Sequence, residues 1–244
     1  MRAPAFVLVA IGFAPLAHAQ DGGGIVVIAG PSFSRVLSDF DFYQDNQTVL
    51  VGFNFGVGYR HRLSPHFCLQ AAPLSEQKGF LIDDDFVFTD NIGNELGRQP
   101  MTLQFRYNYI SLPLVARYNT TGLTYACASA GVVPSLLNTA RSERSAINDL
   151  NTGEELIPAS VTDLSGKYDQ WDLGARLSIG CGRRLGHRML VEINAEFTHG
   201  LLDMGNEDIL DNYYLLNQSG SLLVNVVYDL TKGSVSADPE KSAQ

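Results

Sequence analysis

Eight strand-like runs, joined by links that alternate between short and long, constrain this chain more than any other feature. The runs cover residues 24–34, 48–62, 65–81, 103–119, 122–138, 168–184, 187–199 and 219–230. The links after the second, fourth and sixth are tight: Arg62-Leu63-Ser64-Pro65, Asn119-Thr120-Thr121-Gly122 and Arg183 to Gly186. Those after the first, third, fifth and seventh are long and rich in Asp and Asn. Short turns at one rim and long loops at the other are the pattern of an antiparallel barrel inserted into an outer membrane from the periplasm. The expected fold is therefore all-β, an eight-stranded antiparallel up-and-down transmembrane β-barrel of the outer-membrane type.

The amino terminus supplies the route. Met1-Arg2, an apolar stretch from Phe6 to Leu16 and the small-x-small triplet Ala17-His18-Ala19 make residues 1–19 a secretory signal peptide. The barrel domain is expected over residues 20–230, and residues 231–244 form a flexible periplasmic tail. Nowhere after the signal do 18 apolar residues run together, which excludes a helical membrane protein and leaves a barrel open. A net charge of −9 without a Lys/Arg cluster argues against nucleic acid as a partner.

Alternation shows which residues share a face. In the second run Val51, Phe53, Phe55, Val57 and Tyr59 alternate with Gly52, Asn54, Gly56, Gly58 and Arg60. The sixth run sets Trp171, Leu173, Ala175, Leu177, Ile179 and Cys181 against Asp172, Gly174, Arg176, Ser178, Gly180 and Gly182, and the seventh and eighth repeat the pattern. A soluble sandwich also has one apolar face per strand, so alternation alone does not say whether that face meets lipid or a core. The charges separate the two readings. Arg60, Lys78, Arg117 and Arg176 share the polar faces with Glu76, Asp172, Glu192, Glu196 and Asp229, which a narrow barrel would pair inside. Runs of this length also exceed ordinary soluble strands.

Several features refine the picture. Tyr59, Tyr107, Tyr109, Tyr118, Tyr125, Tyr168, Trp171, Phe197 and Tyr228 lie near strand ends, where a membrane barrel carries its aromatic girdles. Pro31, Pro73 and Pro113 each remove a ladder donor, so bulges or local stops in pairing are expected there. The segment Ala126-Cys127-Ala128-Ser129-Ala130-Gly131 suggests tight packing at a curved part of the wall. Cys68, Cys127 and Cys181 read as small apolar strand residues, with a Cys127–Cys181 bridge the alternative.

Two motifs then carry a resemblance. Tyr109-Ile110-Ser111-Leu112-Pro113-Leu114-Val115-Ala116-Arg117-Tyr118 and Gln77-Lys78-Gly79-Phe80, with the glycine-rich strand from Gly52 to Gly58, resemble the PorT-like, or outer membrane protein β-barrel domain, family of Bacteroidetes. The resemblance implies a fold and a membrane, and for a subset of that family a role in protein secretion. The tail from Thr231 to Gln244 departs from it, since such chains usually end on an aromatic-terminated strand.

No catalytic signature is present in the sequence, and no catalytic, cofactor or metal residue is assigned. The leading expectation is a non-enzymatic, monomeric outer-membrane protein. It would contact membrane lipid along its wall and a protein or glycan partner at acidic extracellular loops, in a structural, secretion or surface-assembly role. Two alternatives stand beside it. One is a lipid-modifying hydrolase built on His199 with Glu196, Asp203 and Ser219 or Ser221. The other is a soluble lipocalin-like carrier whose apolar faces line a ligand cavity. Asp83-Asp84-Asp85 with Asp90, and Glu207-Asp208 with Asp211, could offer oxygens to Ca²⁺, although a solvated acidic loop is the simpler reading. Phe40-Asp41-Phe42-Tyr43 and Phe86-Val87-Phe88 are expected either to contact a partner or to fold over the barrel mouth.

Overall fold

The computed structural model describes residues 22–39, 46–150, 152–205 and 214–230. The expected signal peptide and tail, the segment Phe40-Asp41-Phe42-Tyr43 and the cluster Glu207-Asp208 with Asp211 lie outside the described residues. The strands are β1 (Gly23–Ser38), β2 (Gln47–Arg62), β3 (Phe67–Ala71), β4 (Leu74–Thr89), β5 (Glu95–Ser111), β6 (Leu114–Asn119), β7 (Thr124–Arg144), β8 (Ile147–Asn148), β9 (Glu155–Ile157), β10 (Ser160–Asp163), β11 (Trp171–Leu185), β12 (Met189–Gly200) and β13 (Leu215–Asp229).

These segments close into a ring of eight wall strands. In order they are β1, β2, β3 with β4, β5 with β6, β7, β11, β12 and β13. Every neighbour pairs antiparallel, and the ring shuts where β13 pairs β1, Tyr228 opposite Ile25 and Leu215 opposite Ser38. Pro73 and Pro113 split two walls into β3/β4 and β5/β6 as their missing donors predict. The register carries straight across both breaks, since Ala71 opposes Leu114 and Leu74 opposes Ser111. Pro31 stays inside β1, but the ladder to β13 skips from Ala29 to Ser32.

Burial decides between barrel and sandwich. The apolar set of β2 is outside: Val51 is 63% exposed and Phe53 54%. The polar set is inside, with Asn54 at 3% and Arg60 at 7%. A soluble core would reverse this, so the apolar faces meet lipid and the charged faces meet each other. The carrier alternative fails on the same observation, because the interior is lined by charge.

Three expectations are corrected. The third link is not a long loop: β4 runs to Thr89 and β5 starts at Glu95, leaving only Asp90–Asn94 as a turn. The fifth link is partly strand as well, since β7 reaches Arg144 and β10 pairs back onto it. Tyr107, Tyr109, Tyr125 and Tyr168 are buried inside the barrel, so they belong to no girdle, whereas Tyr118, Trp171, Phe197 and Tyr228 are exposed on its surface.

Candidate functional site

Two places concentrate chemistry-bearing side chains: the lumen and the sheet above the long-loop rim. In the lumen Glu192 is the hub of the lower cluster. It accepts hydrogen bonds from Arg60 Nη1 and Nη2, each at 2.8 Å, and from the Tyr125 hydroxyl at 2.7 Å. Arg117 Nη2 stands 2.8 Å from its other side. Arg60 also donates to Gln70, and Arg117 to Asn194 at 3.0 Å. A carboxylate taken out of water is tolerable only with such multiple charge-assisted partners.

A second cluster lies higher. Arg176 bridges Glu76 and Glu196, the latter at 3.3 Å, while its Nε donates to Thr198 at 2.9 Å. Lys78 Nζ sits 3.2 Å from Asp172 and 4.7 Å over the Tyr109 ring. Asn217 donates to both Asp172 and the Tyr109 hydroxyl. Together the clusters hold four cations and four carboxylates, so the lumen is charge-balanced and the net charge of −9 is expressed elsewhere. Of the strand charges expected inside, only Asp229 sits at the rim, in a partly exposed pair with Arg62 at 3.4 Å. Above these clusters an apolar plug of Val36, Phe80, Ile82, Tyr107 and Leu215 is completed by Tyr168 and Met204 from the connecting segments, with Tyr107 and Tyr168 joined through their hydroxyls at 3.0 Å. Side chains fill an eight-stranded lumen at these levels, as its width requires.

The sheet above the rim is different. β2 leaves β4 at Ile82, where Gln47 is the last partner, while β4 continues with β5 to the Thr89–Glu95 pair. Among the described residues no strand pairs with the other edge of Asp83–Thr89. On the far side of this sheet β10 replaces β11 beside β7, Ser160 opposite Arg144. Asp83, Asp84 and Asp85 are all exposed, and Phe86 and Phe88 pack edge to face with ring centres 5.1 Å apart.

The other candidates separate. His199 shares the outward parity of Phe197, whereas Glu196 turns inward to Arg176 and Ser219 is buried in the lumen. Asp203 is occupied in accepting the Gly205 and Leu215 amides, each at 2.9 Å. The barrel wall thus divides the supposed hydrolase residues, and the constellation is not assembled. Cys127 is buried and Cys181 exposed on the opposite face, so these free thiols form no bridge. Asp83 and Asp84 stand on opposite faces of β4, and Asp90 is spent on its own turn, where its carboxylate accepts the Ile92 and Asn94 amides. Those amides, together with the Asn94 side chain, hold the Asp90 carboxyl below the usual aspartate range. No group of three metal-ligating side chains converges among the described residues.

Comparison with known proteins agrees with the geometry. No curated protein matches the sequence. Solved structures that resemble the chain include the attachment invasion locus protein Ail of Yersinia pestis, 12% identical with a TM-score of 0.39, covering 86% of this chain and 99% of that one. Neisserial surface protein A is 13% identical with a TM-score of 0.42, covering 85% and 99%. OprG from Pseudomonas aeruginosa is 10% identical with a TM-score of 0.43, covering 86% and 97%. A family profile described as outer membrane protein beta-barrel domain matches residues 19–206. With a closed ring, a lipid-facing apolar surface and a match over most of its length, the chain is an outer-membrane protein and belongs to the outer membrane protein β-barrel domain family.

Proposed function

We propose that this protein is a non-enzymatic, monomeric interaction protein of the cell surface, delivered by the signal peptide at residues 1–19, and that it engages an extended protein segment at the open edge Asp83–Thr89. The observation that carries this reading is the edge itself: beyond the rim it has no strand partner among the described residues, and three exposed aspartates border it. A strand of another chain can add to such an edge, and basic side chains on it would meet the aspartates. Among the described residues the ring closes where β13 pairs β1, which supports a single chain as the complete unit. The PorT-like motifs extend the reading to secretion or surface assembly. A glycan partner would use the acidic ribbon without pairing to its backbone.

The test places a photo-crosslinking residue at Val87 in intact cells. A discrete protein adduct that disappears when Asp83 and Asp85 are changed to Lys is expected, with none from the lipid-facing Val57. The same background from both positions would overturn the proposal.

A further inference from the structure

The outward wall is bulky almost everywhere, as the row Val51, Phe53, Phe55 and Val57 shows. It thins at one place. Ala116 on β6 and Ala128 and Ala130 on β7 form the floor of a groove of about 690 Å³, with Tyr118 on one side and Leu177 and Ile179 on the other. The alanine-rich segment therefore has a second consequence beyond close packing. Gly131 does lie where a Cβ would meet the backbone of β6, but its alanine neighbours open a channel on the lipid face.

On β11 the lining of the groove stops at Ile179, and a lane of small exposed residues, Ala126 and Thr124 on β7, continues from it toward the short-turn rim. The outward face of β11 runs Leu177, Ile179, Cys181 and then Arg183, which is exposed opposite Thr124 and Val191. Among the described residues the Arg183 guanidinium has no ion pair or hydrogen bond, unlike Arg62 and Arg188 at the same rim, which contact Asp229 and Tyr228. From Leu177 to Arg183 a strand advances about 20 Å at roughly 3.3 Å per residue. Tilted by about 45°, it descends about 14 Å, close to half the roughly 30 Å hydrocarbon layer. The outward lane of β11 from the groove to the cation thus spans one leaflet, on the side of the short turns, which in such barrels is periplasmic.

We propose that this groove binds an anionic glycerophospholipid of the periplasmic leaflet, one acyl chain along the alanine floor and the phosphate at Arg183. An apolar groove whose lane of small residues leads to an exposed guanidinium, without a partner among the described residues, complements both parts of such a lipid, and the net negative headgroup is what the cation selects. The competing occupant, a second copy of this chain, is an outcome of the test.

The full chain, refolded in detergent micelles and checked by its heat-dependent gel shift, is given phosphatidylglycerol or phosphatidylcholine and weighed intact by native mass spectrometry. Wild type and the control Val57→Trp should retain phosphatidylglycerol about fivefold better than phosphatidylcholine, the effect of one arginine at an anionic surface. Arg183→Gln should abolish the preference, and Ala128→Trp, which fills the groove, should reduce both adducts. Equal retention of the two lipids by wild type, or adducts indifferent to Arg183→Gln, would overturn the proposal. So would a dimer that Ala128→Trp dissociates while lipid adducts persist. Should Ala128→Trp fail to fold, Arg183→Gln at the exposed rim decides alone.

Discussion

The strands β4, β5 and β7 pass through two environments, and their carboxylates behave oppositely in each. Within the membrane Glu76 and its neighbours across the lumen are buried, each held by a guanidinium or ammonium. A few residues further along the same strand Asp83, Asp84 and Asp85 are exposed, and none of them has an ion-pair partner among the described residues. The difference is the medium. A charge enclosed by a lipid-wrapped wall must be paired, so removing one partner strands the other and is costly. A solvated charge gains little from any one contact and stays available to a partner. The charges of the lower half are therefore held by internal pairing, and those of the upper half are left in solvent.

The largest effect should come from breaking the lumen. Glu192→Leu leaves Arg60 and Arg117 facing each other without a carboxylate, and such a loss typically costs about 3–5 kcal/mol. Denaturant unfolding from lipid vesicles, followed by the fluorescence of the single tryptophan, Trp171, reports it directly, since that ring is exposed on the lipid face. Replacing Glu192, Arg60 and Arg117 together with apolar residues should recover much of the loss. A single variant as stable as wild type would erase the contrast between the two halves.

A smaller lumen effect is expected at Gly79 on β4. Its φ of 142° is a conformation that side chains rarely adopt, and a Cβ there would run into the Phe105 carbonyl oxygen on β5. Gly79→Ala should cost about 1–3 kcal/mol by the same unfolding measurement. This gives the glycine of Gln77-Lys78-Gly79 a physical role, and an unchanged midpoint would remove it.

Legibility in the sequence followed the same division. Inside the membrane each strand must hide one face, so alternation placed Arg60, Lys78, Arg117, Arg176 and their carboxylates in the lumen before any coordinate. The same rule could have separated His199 from Ser219, because His199 keeps step with Phe197 while Ser219 keeps step with Asn225. It could likewise have turned Tyr107 and Tyr109 inward. Above the rim both faces of Asp83–Thr89 meet water, and no apolar period marks the segment as strand. Its conformation comes from pairing with β5 across the Asp90–Asn94 turn. The alanine groove was hidden for another reason: its floor and walls come from β6, β7 and β11, neighbours only in the closed ring.

On the ribbon, stability and contact should come apart. Changing Asp83, Asp84 and Asp85 to Asn should shift unfolding by no more than about 0.5 kcal/mol for each solvated site. It should nevertheless weaken the Val87 adduct, most visibly at low salt where exposed charges act furthest. Loss of stability comparable to Glu192→Leu would show that the ribbon is part of the scaffold.

The smallest effect sharpens the comparison at the ribbon's tip. Because the Asp90 carboxyl is held below its ordinary range by the amides it accepts, its contribution to the turn is fully present above the unfolded value and disappears as pH falls through the lowered one. Amide exchange at Ile92 and Asn94 should therefore be pH-independent in protection through neutral and mildly acidic solution, and protection should fade only once the carboxyl takes its proton. Asp90→Ala removes the acceptor and should expose both amides at every pH. The amides of β11 and β12 should not respond to either change, since the lumen does not depend on that turn. If they lose protection in step with it, the tip and the barrel open as one cooperative unit, and the independence of the two halves is lost.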